Sequence, residues 1–257
     1  MARFDIYEAP IFNYYQDIIN FNKEALRKPE NDGRKTALNL NIILCSACLI
    51  EGVLEDRGKI LLGYYRDIFD TINIPEFELR KPMNHFFNNI EEHLHKKVSQ
   101  STGLDNYASL FELFTGTSMK QHKKIKPLYE GVNVLFQLRN VIAHGRLIHA
   151  YDVEAYYTNG IEEFFCGGYK KAEDYLIKKG LLSDRFRDVE GSSLYFSNEI
   201  AEHFDTISHS FISALDAYIV ESLQVGDILQ ESLKEYNTKN STNYDIMSYL
   251  RFRGISK

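Results

Sequence analysis

Residues 136–147, FQLRNVIAHGRL, set an arginine in the middle of an apolar helical stripe and a histidine five residues later, where a helix should stop. On a wheel of about 100° per residue, Arg139 falls at the centre of a face formed by Leu128, Val132, Leu135, Phe136, Ile142 and Ala143. Asn133, Gln137, Asn140 and His144 fall on the polar side, with Val134 and Val141 exposed among them. A guanidinium cannot shed its proton to escape burial, so Arg139 needs a carboxylate, a phosphate or a wet cavity. Glu51 offers the carboxylate. It sits mid-face in the most apolar segment of the chain, among Leu40, Leu44, Ala47, Cys48 and Leu54. The two patterns predict that Glu51 and Arg139 meet across a helical bundle, each lowering the other's desolvation cost. Alone, such a pair is a structural salt bridge, weak evidence for stability and none for catalysis.

The histidine changes that weighting. Gly145 suits the position just past a helix, so His144 would close the helix, where the dipole favours an imidazolium. Asn140 lies one turn earlier and can orient the ring. In a continuous helix Arg139 and His144 point about 140° apart. A helix end or a second subunit must therefore bring both to one substrate.

The elements that hold these residues read as helices. Residues 8–27 place Ile11, Tyr15, Ile18 and Ala25 on one stripe, with Phe12, Ile19 and Leu26 beside it. After the break ENDGRK, a long helix runs from about Thr36 to Thr71, with an interruption expected near Gly58. Between Leu38 and Leu54 it is apolar nearly all round, the mark of a central element. It falls short of about 18 uninterrupted apolar residues, so a buried core helix is expected and not a membrane span. Further helices are expected over 84–98, 105–113, 127–143, a short one in YKKAEDYLIKKGLL capped by Gly180, and one over 198–223. Residues 181–197 read as a small β-hairpin. The fold class is all-α, one helical bundle over 1–257 with inserted helices and that hairpin.

Composition narrows the function classes. The 257 residues are 44% hydrophobic and carry a formal net charge of -6, so polyanions are not drawn to the molecule as a whole. A local patch is needed, and MKQHKKIKP gathers Lys120, Lys123, Lys124 and Lys126 just before the motif helix. The N-terminal MARFDIYEAPIF lacks the apolar run of a signal peptide, and a cytoplasmic protein is expected. Cys45 and Cys48 in CSAC have metal-like spacing but no second pair, and Cys166 stands apart, so packing is the better reading. His93 and His95 diverge by about 200° on a helix, a poor metal site. The region around KKAEDYLIKKGLL and SSLYFS has the outline of a wing, but its charges nearly cancel. No Gly-rich phosphate loop or nucleophile elbow occurs.

With these residues in view, RNVIAHG resembles the R-x4-6-H motif of HEPN domains, in the form where a polar residue, here Asn140, follows the arginine. The resemblance covers residues 8–71 and 127–150, with 198–223 as a further packing helix; segments 72–126 and 160–197 carry none of it. It implies a helical bundle, a homodimer with two motifs facing each other, and a metal-independent ribonuclease without cofactor, acting in toxin–antitoxin or phage defence. RNA cleavage without metal needs a base for the 2′-OH proton and a cation for the charge on the phosphate oxygens. By resemblance His144 is the acid/base, Arg139 binds phosphate, Asn140 orients and Glu51 holds Arg139; a cyclic phosphate is the implied product. Val134 and Val141, read as exposed, would suit the dimer contact. Some relatives carry a tyrosine two residues after the histidine that a partner nucleotidyltransferase modifies. Here Arg146 stands there, which argues against that route and adds a basic side chain for RNA. The alternatives are a non-catalytic module of this type, binding RNA, nucleotide or protein, and a dimerisation protein with a buried Arg–Glu pair.

Overall fold

The computed structural model describes residues 11–28, 31–71, 88, 92, 103–143, 169–182, 196–222 and 238, and among these every regular element is helical. In chain order they are α1 (Phe12–Ala25), α2 (Asp32–Thr71), α3 (Leu104–Thr115), a 3-10 turn (Met119–Gln121), α4 (Lys126–Ala143), α5 (Tyr169–Lys178) and α6 (Asn198–Ser222). The all-α class follows. The hairpin expected over 181–197 falls mostly outside the described residues. So does most of the helix expected over 84–98, of which Asn88 and Glu92 are helical.

Helix α2 begins earlier than its apolar pattern suggests, because Asn31 caps it. The Asn31 side-chain oxygen accepts the backbone N–H of Arg34 at 2.8 Å, and Asp32 complements the dipole in the first turn. The interruption expected near Gly58 does not occur; Gly58 is buried inside a continuous helix. From Asn39 to Leu54 the helix is covered on almost every side. Asp32–Gly63 is long and apolar enough to cross a membrane by length and composition, and 56% of its most apolar window is buried, as in a core helix.

The chain packs as two compact units, Met1–Gly52 with Leu128–Phe211, and Val53–Pro127 with Ile212–Lys257. In the first, α1 does not bury the expected stripe. Ile11 is 73% and Ile18 38% exposed, whereas Ile19 and Asn22 are buried. The reason is a close helix crossing: a Cβ on Gly52 would lie 2.5 Å from the Phe12 Cβ. Phe12 thus faces α2, and Tyr15, Ile19 and Asn22 follow it inward at helical spacing. The Asn22 amide is satisfied by donating to the Ile18 carbonyl at 2.8 Å. Lys23 reaches the buried Asp205 carboxylate of α6 at 2.7 Å. The fully buried Asn39 side chain donates to the Phe196 carbonyl at 2.7 Å and to the Asn198 side chain at 2.9 Å.

Helix α4 corrects a second expectation. Val134 and Val141 are only 3% and 4% exposed, so they offer no surface for a dimer contact. Gly131, one turn before Val134, leaves room for α5 and α6. A Cβ there would meet the Tyr175 hydroxyl at 2.5 Å and Ile207 Cδ1 at 2.7 Å, so a wall stands where the wheel suggested solvent. Gly180 ends α5 as its pattern implied, with φ 70° and its N–H on the Ile177 carbonyl at 2.8 Å.

In the second unit, Gly116 closes α3 with φ 65°. The Tyr218 hydroxyl then donates to the Thr117 carbonyl and lies against the Thr115 hydroxyl, both at 2.7 Å. Arg57 donates from Nε to Asp216 at 3.0 Å and from Nη1 to Asp56 at 2.7 Å. Burial still pushes the Asp216 carboxyl upward against the pull of Arg57.

Two outcomes follow from this packing. Gly52→Ala forces a methyl against Phe12 Cβ, which no rotamer can move, and should cost about 1–3 kcal/mol. Gly33→Ala, whose Cβ meets only the Asn31 side chain at 3.4 Å, should stay within about 1 kcal/mol of the parent. Equal denaturant midpoints for the two variants would contradict the close crossing. The second outcome concerns His203, whose Nε2 lies 2.8 Å from the Tyr175 hydroxyl. Burial, then the charge of Lys179, push the His203 pKa down, while burial first raises Tyr175 to about 12. A histidine depressed in the folded state contributes stability that is full above its unfolded value of about 6.5 and is lost as pH falls through the folded value. Stability measured from pH 7.5 to 5 should therefore fall less steeply in His203→Gln, which keeps an acceptor for Tyr175; equal slopes would refute this assignment.

Candidate functional site

Helices α2 and α4 bring Glu51 and Arg139 together as the two apolar stripes implied. Arg139 Nη1 donates to Glu51 Oε2 at 2.9 Å and Nη2 donates to Oε1 at 2.7 Å. This is the paired fork geometry that makes an arginine–carboxylate contact both strong and directional. The side chains are 15% and 21% exposed, so each charge is mostly withdrawn from water and depends on the other. Phe136, one turn before Arg139, places its ring 5.6 Å from the guanidinium carbon, a cation–π contact. The Arg139 Nε is buried and meets no acceptor among the described residues. Asn140 is half-buried on the same helix.

A phenol and a thiol flank the pair. The Phe12–Gly52 crossing sets Tyr15, one turn further along α1, over Cys48, one turn back along α2. Tyr15 and Cys48 are close enough for each to shift the other's protonation. Burial pushes the Cys48 thiol up and the Glu51 charge adds to this, against opposing pulls from Arg139 and Tyr15. Burial and Cys48 push Cys45 up to about 11. Tyr15 is raised too, by burial first. All three groups therefore stay protonated near neutrality, and neither thiol has the character of a nucleophile. The packing role read for CSAC fits this state. Among the described residues no three His, Cys, Asp or Glu side chains converge to hold a metal ion.

His144 and Arg146 lie outside the described residues, as do His93, His95 and Cys166. The lysine patch belongs to the second unit, where acidic partners gather it. Lys123 and Lys124 reach Glu221 at 3.2 and 2.8 Å, and His122 Nε2 stands 3.3 Å from the same carboxylate. Hydrogen bonds from Lys124 and then Lys123 hold the Glu221 carboxyl down to about 2. Lys120 pairs with Asp105 at 2.9 Å, and Lys126 is exposed at the start of α4. The His122 ring sits edge-on to Tyr218, centroids 5.2 Å apart, which fixes it beside Glu221.

Sequence reasoning missed two participants. Tyr15 stood on a stripe read only as core, and the signal that could have found it was the small residue Gly52 next to Glu51. Glu221 had no local signal, since it meets the lysines across about a hundred residues of chain. Compared with known proteins, the chain matches no family model, no curated protein and no solved structure.

Proposed function

We propose that the chain is a HEPN-type, metal-independent endoribonuclease that cleaves RNA by attack of a 2′-OH on the adjacent phosphate. The observation that carries the reading is the Glu51–Arg139 pair. The arginine of the RNVIAHG motif is mostly buried, yet a carboxylate holds its guanidinium flat and fixed. A preorganised cation is what a phosphate gaining charge in the transition state requires. In this reading Arg139 stabilises the phosphate oxygens and His144 takes the 2′-OH proton, a second proton transfer protonating the leaving 5′-oxygen. Asn140 orients the ring, Glu51 steadies Arg139 in the resting site, and the product ends in a cyclic phosphate. Arg146, with Lys120, Lys123, Lys124 and Lys126, would hold the RNA backbone. The protein would act in the cytoplasm as a homodimer with two motifs, in a toxin or phage-defence setting with an antitoxin or defence partner.

One observation favours a second reading. Both Nη atoms of Arg139 are already occupied by Glu51, as they would be in a non-catalytic module of the same type that binds RNA, nucleotide or protein elsewhere. Cleavage of mixed single-stranded RNAs in EDTA by the wild type and by His144→Ala separates the two. Folding and dimer mass are checked for both proteins. The nuclease reading expects cyclic-phosphate ends and a loss of about 10²–10⁴-fold in rate in the variant. No cleavage by a folded wild-type dimer would favour the binding module.

A further inference from the structure

We infer that Glu51 competes with the anion that Arg139 binds, so that phosphate and carboxylate take the same edge of the guanidinium in turn. The inference rests on Arg139 being a phosphate-binding group, and it adds how that group is guarded. A guanidinium offers five N–H donors on a planar fork. Its end-on edge, Nη1 with Nη2, is spent on the two Glu51 oxygens at 2.9 and 2.7 Å. The one other two-donor edge pairs Nε with Nη2, and Nε is buried without an acceptor among the described residues. Phe136 lies against the group as well. An anion arriving from water therefore has one route to a two-pronged contact, and Glu51 occupies it.

Carboxylate and phosphodiester present equivalent pairs of oxygens to this fork. Glu51 can also leave: its side chain is 21% exposed, so it swings toward water and not into the apolar core. When only a fraction of the protein has an open fork, the apparent affinity for the anion falls by that fraction. The consequence is selectivity. A small anion such as free phosphate brings nothing beyond the two oxygens that Glu51 already supplies. A nucleic-acid strand held at neighbouring phosphates can displace the carboxylate, because its other contacts persist during the exchange. Glu51 thereby restricts Arg139 to extended polyanions.

The test measures equilibrium binding of a fluorescent ten-residue oligodeoxynucleotide, which lacks the 2′-OH and is not cleaved, to the full chain by anisotropy at fixed salt. The proteins are the wild type, Glu51→Gln, Glu51→Asp and the neutral pair Glu51→Gln/Arg139→Gln, with folding checked by circular dichroism. Glu51→Gln should bind about tenfold tighter or more, and the gain should vanish in the double variant, whose net charge equals that of the wild type; the charge-conserving Glu51→Asp shows whether the gain exceeds an effect of net charge. Glu51→Asp keeps the charge on a shorter arm, should show a smaller gain in the same direction, and carries the test if the Gln variant does not fold. Binding by Glu51→Gln and Glu51→Asp equal to or weaker than wild type, with the double variant weaker still, would overturn the competition and leave Arg139 as the anion site. Binding by the double variant as tight as that of Glu51→Gln would overturn the anion reading of Arg139 together with it.

Discussion

A guanidinium that cannot lose its proton, set among Val132, Leu135 and Phe136, has few ways to be buried, and this fold uses one of them. Arg139 meets Glu51 through two parallel hydrogen bonds, and much of the first unit is arranged so that this contact is in register. Asn31 fixes where α2 begins. Asn39 ties α2 to the start of α6, and the Phe12–Gly52 crossing closes α1 over the same stretch. Misplacing α2 against α4 by one residue would rotate Glu51 by about 100° and leave two charges facing apolar walls. The ion pair adds little net stability over a hydrophobic pair, but it makes wrong registers expensive.

The neighbouring groups keep that charge balance simple. Cys45 and Cys48, lifted by burial, stay neutral beside the pair, and Tyr15 does the same. A thiolate at Cys48 would compete with Glu51 for the guanidinium, and burial prevents it. The result is a guanidinium and a carboxylate paired in a half-dry setting. That arrangement suits a structural pair, and it equally suits a phosphate-binding arginine kept in place until its ligand arrives. The two differ in whether Glu51 can be exchanged for another anion.

The pairing of Glu51 with Arg139 was legible because a charge at the centre of an apolar stripe has few physical solutions, and two such stripes point to each other. The ends of α5 and α6 were legible for a related reason, since glycine after an amphipathic run stops a helix and a clean 3.6-residue pattern marks its length. The buried face of α1 was not legible. That helix has large apolar side chains on several sides, and the absence of a side chain on Gly52 decided which one turned inward. The reading of α4 was misled as well: Gly131 admits Tyr175 and Ile207, and Val134 and Val141 are buried on a side that looked polar. The gathering of Lys123 and Lys124 around Glu221 left no trace either, because contacts between exposed charges far apart in sequence impose no periodicity.

Glu51 and Arg139 act as one interdependent unit that sets the register of α2 against α4. Denaturant unfolding of Glu51→Leu, Arg139→Met and the double variant, all read against the wild type at one pH, tests it directly. Each single variant strands a charge and should lose about 3 kcal/mol or more, and the double variant should regain most of it. That corresponds to a coupling of roughly 2 kcal/mol or more. Losses that simply add, with a coupling below about 0.5 kcal/mol, would mean that each side chain finds its solvation independently and that the two do not form one unit.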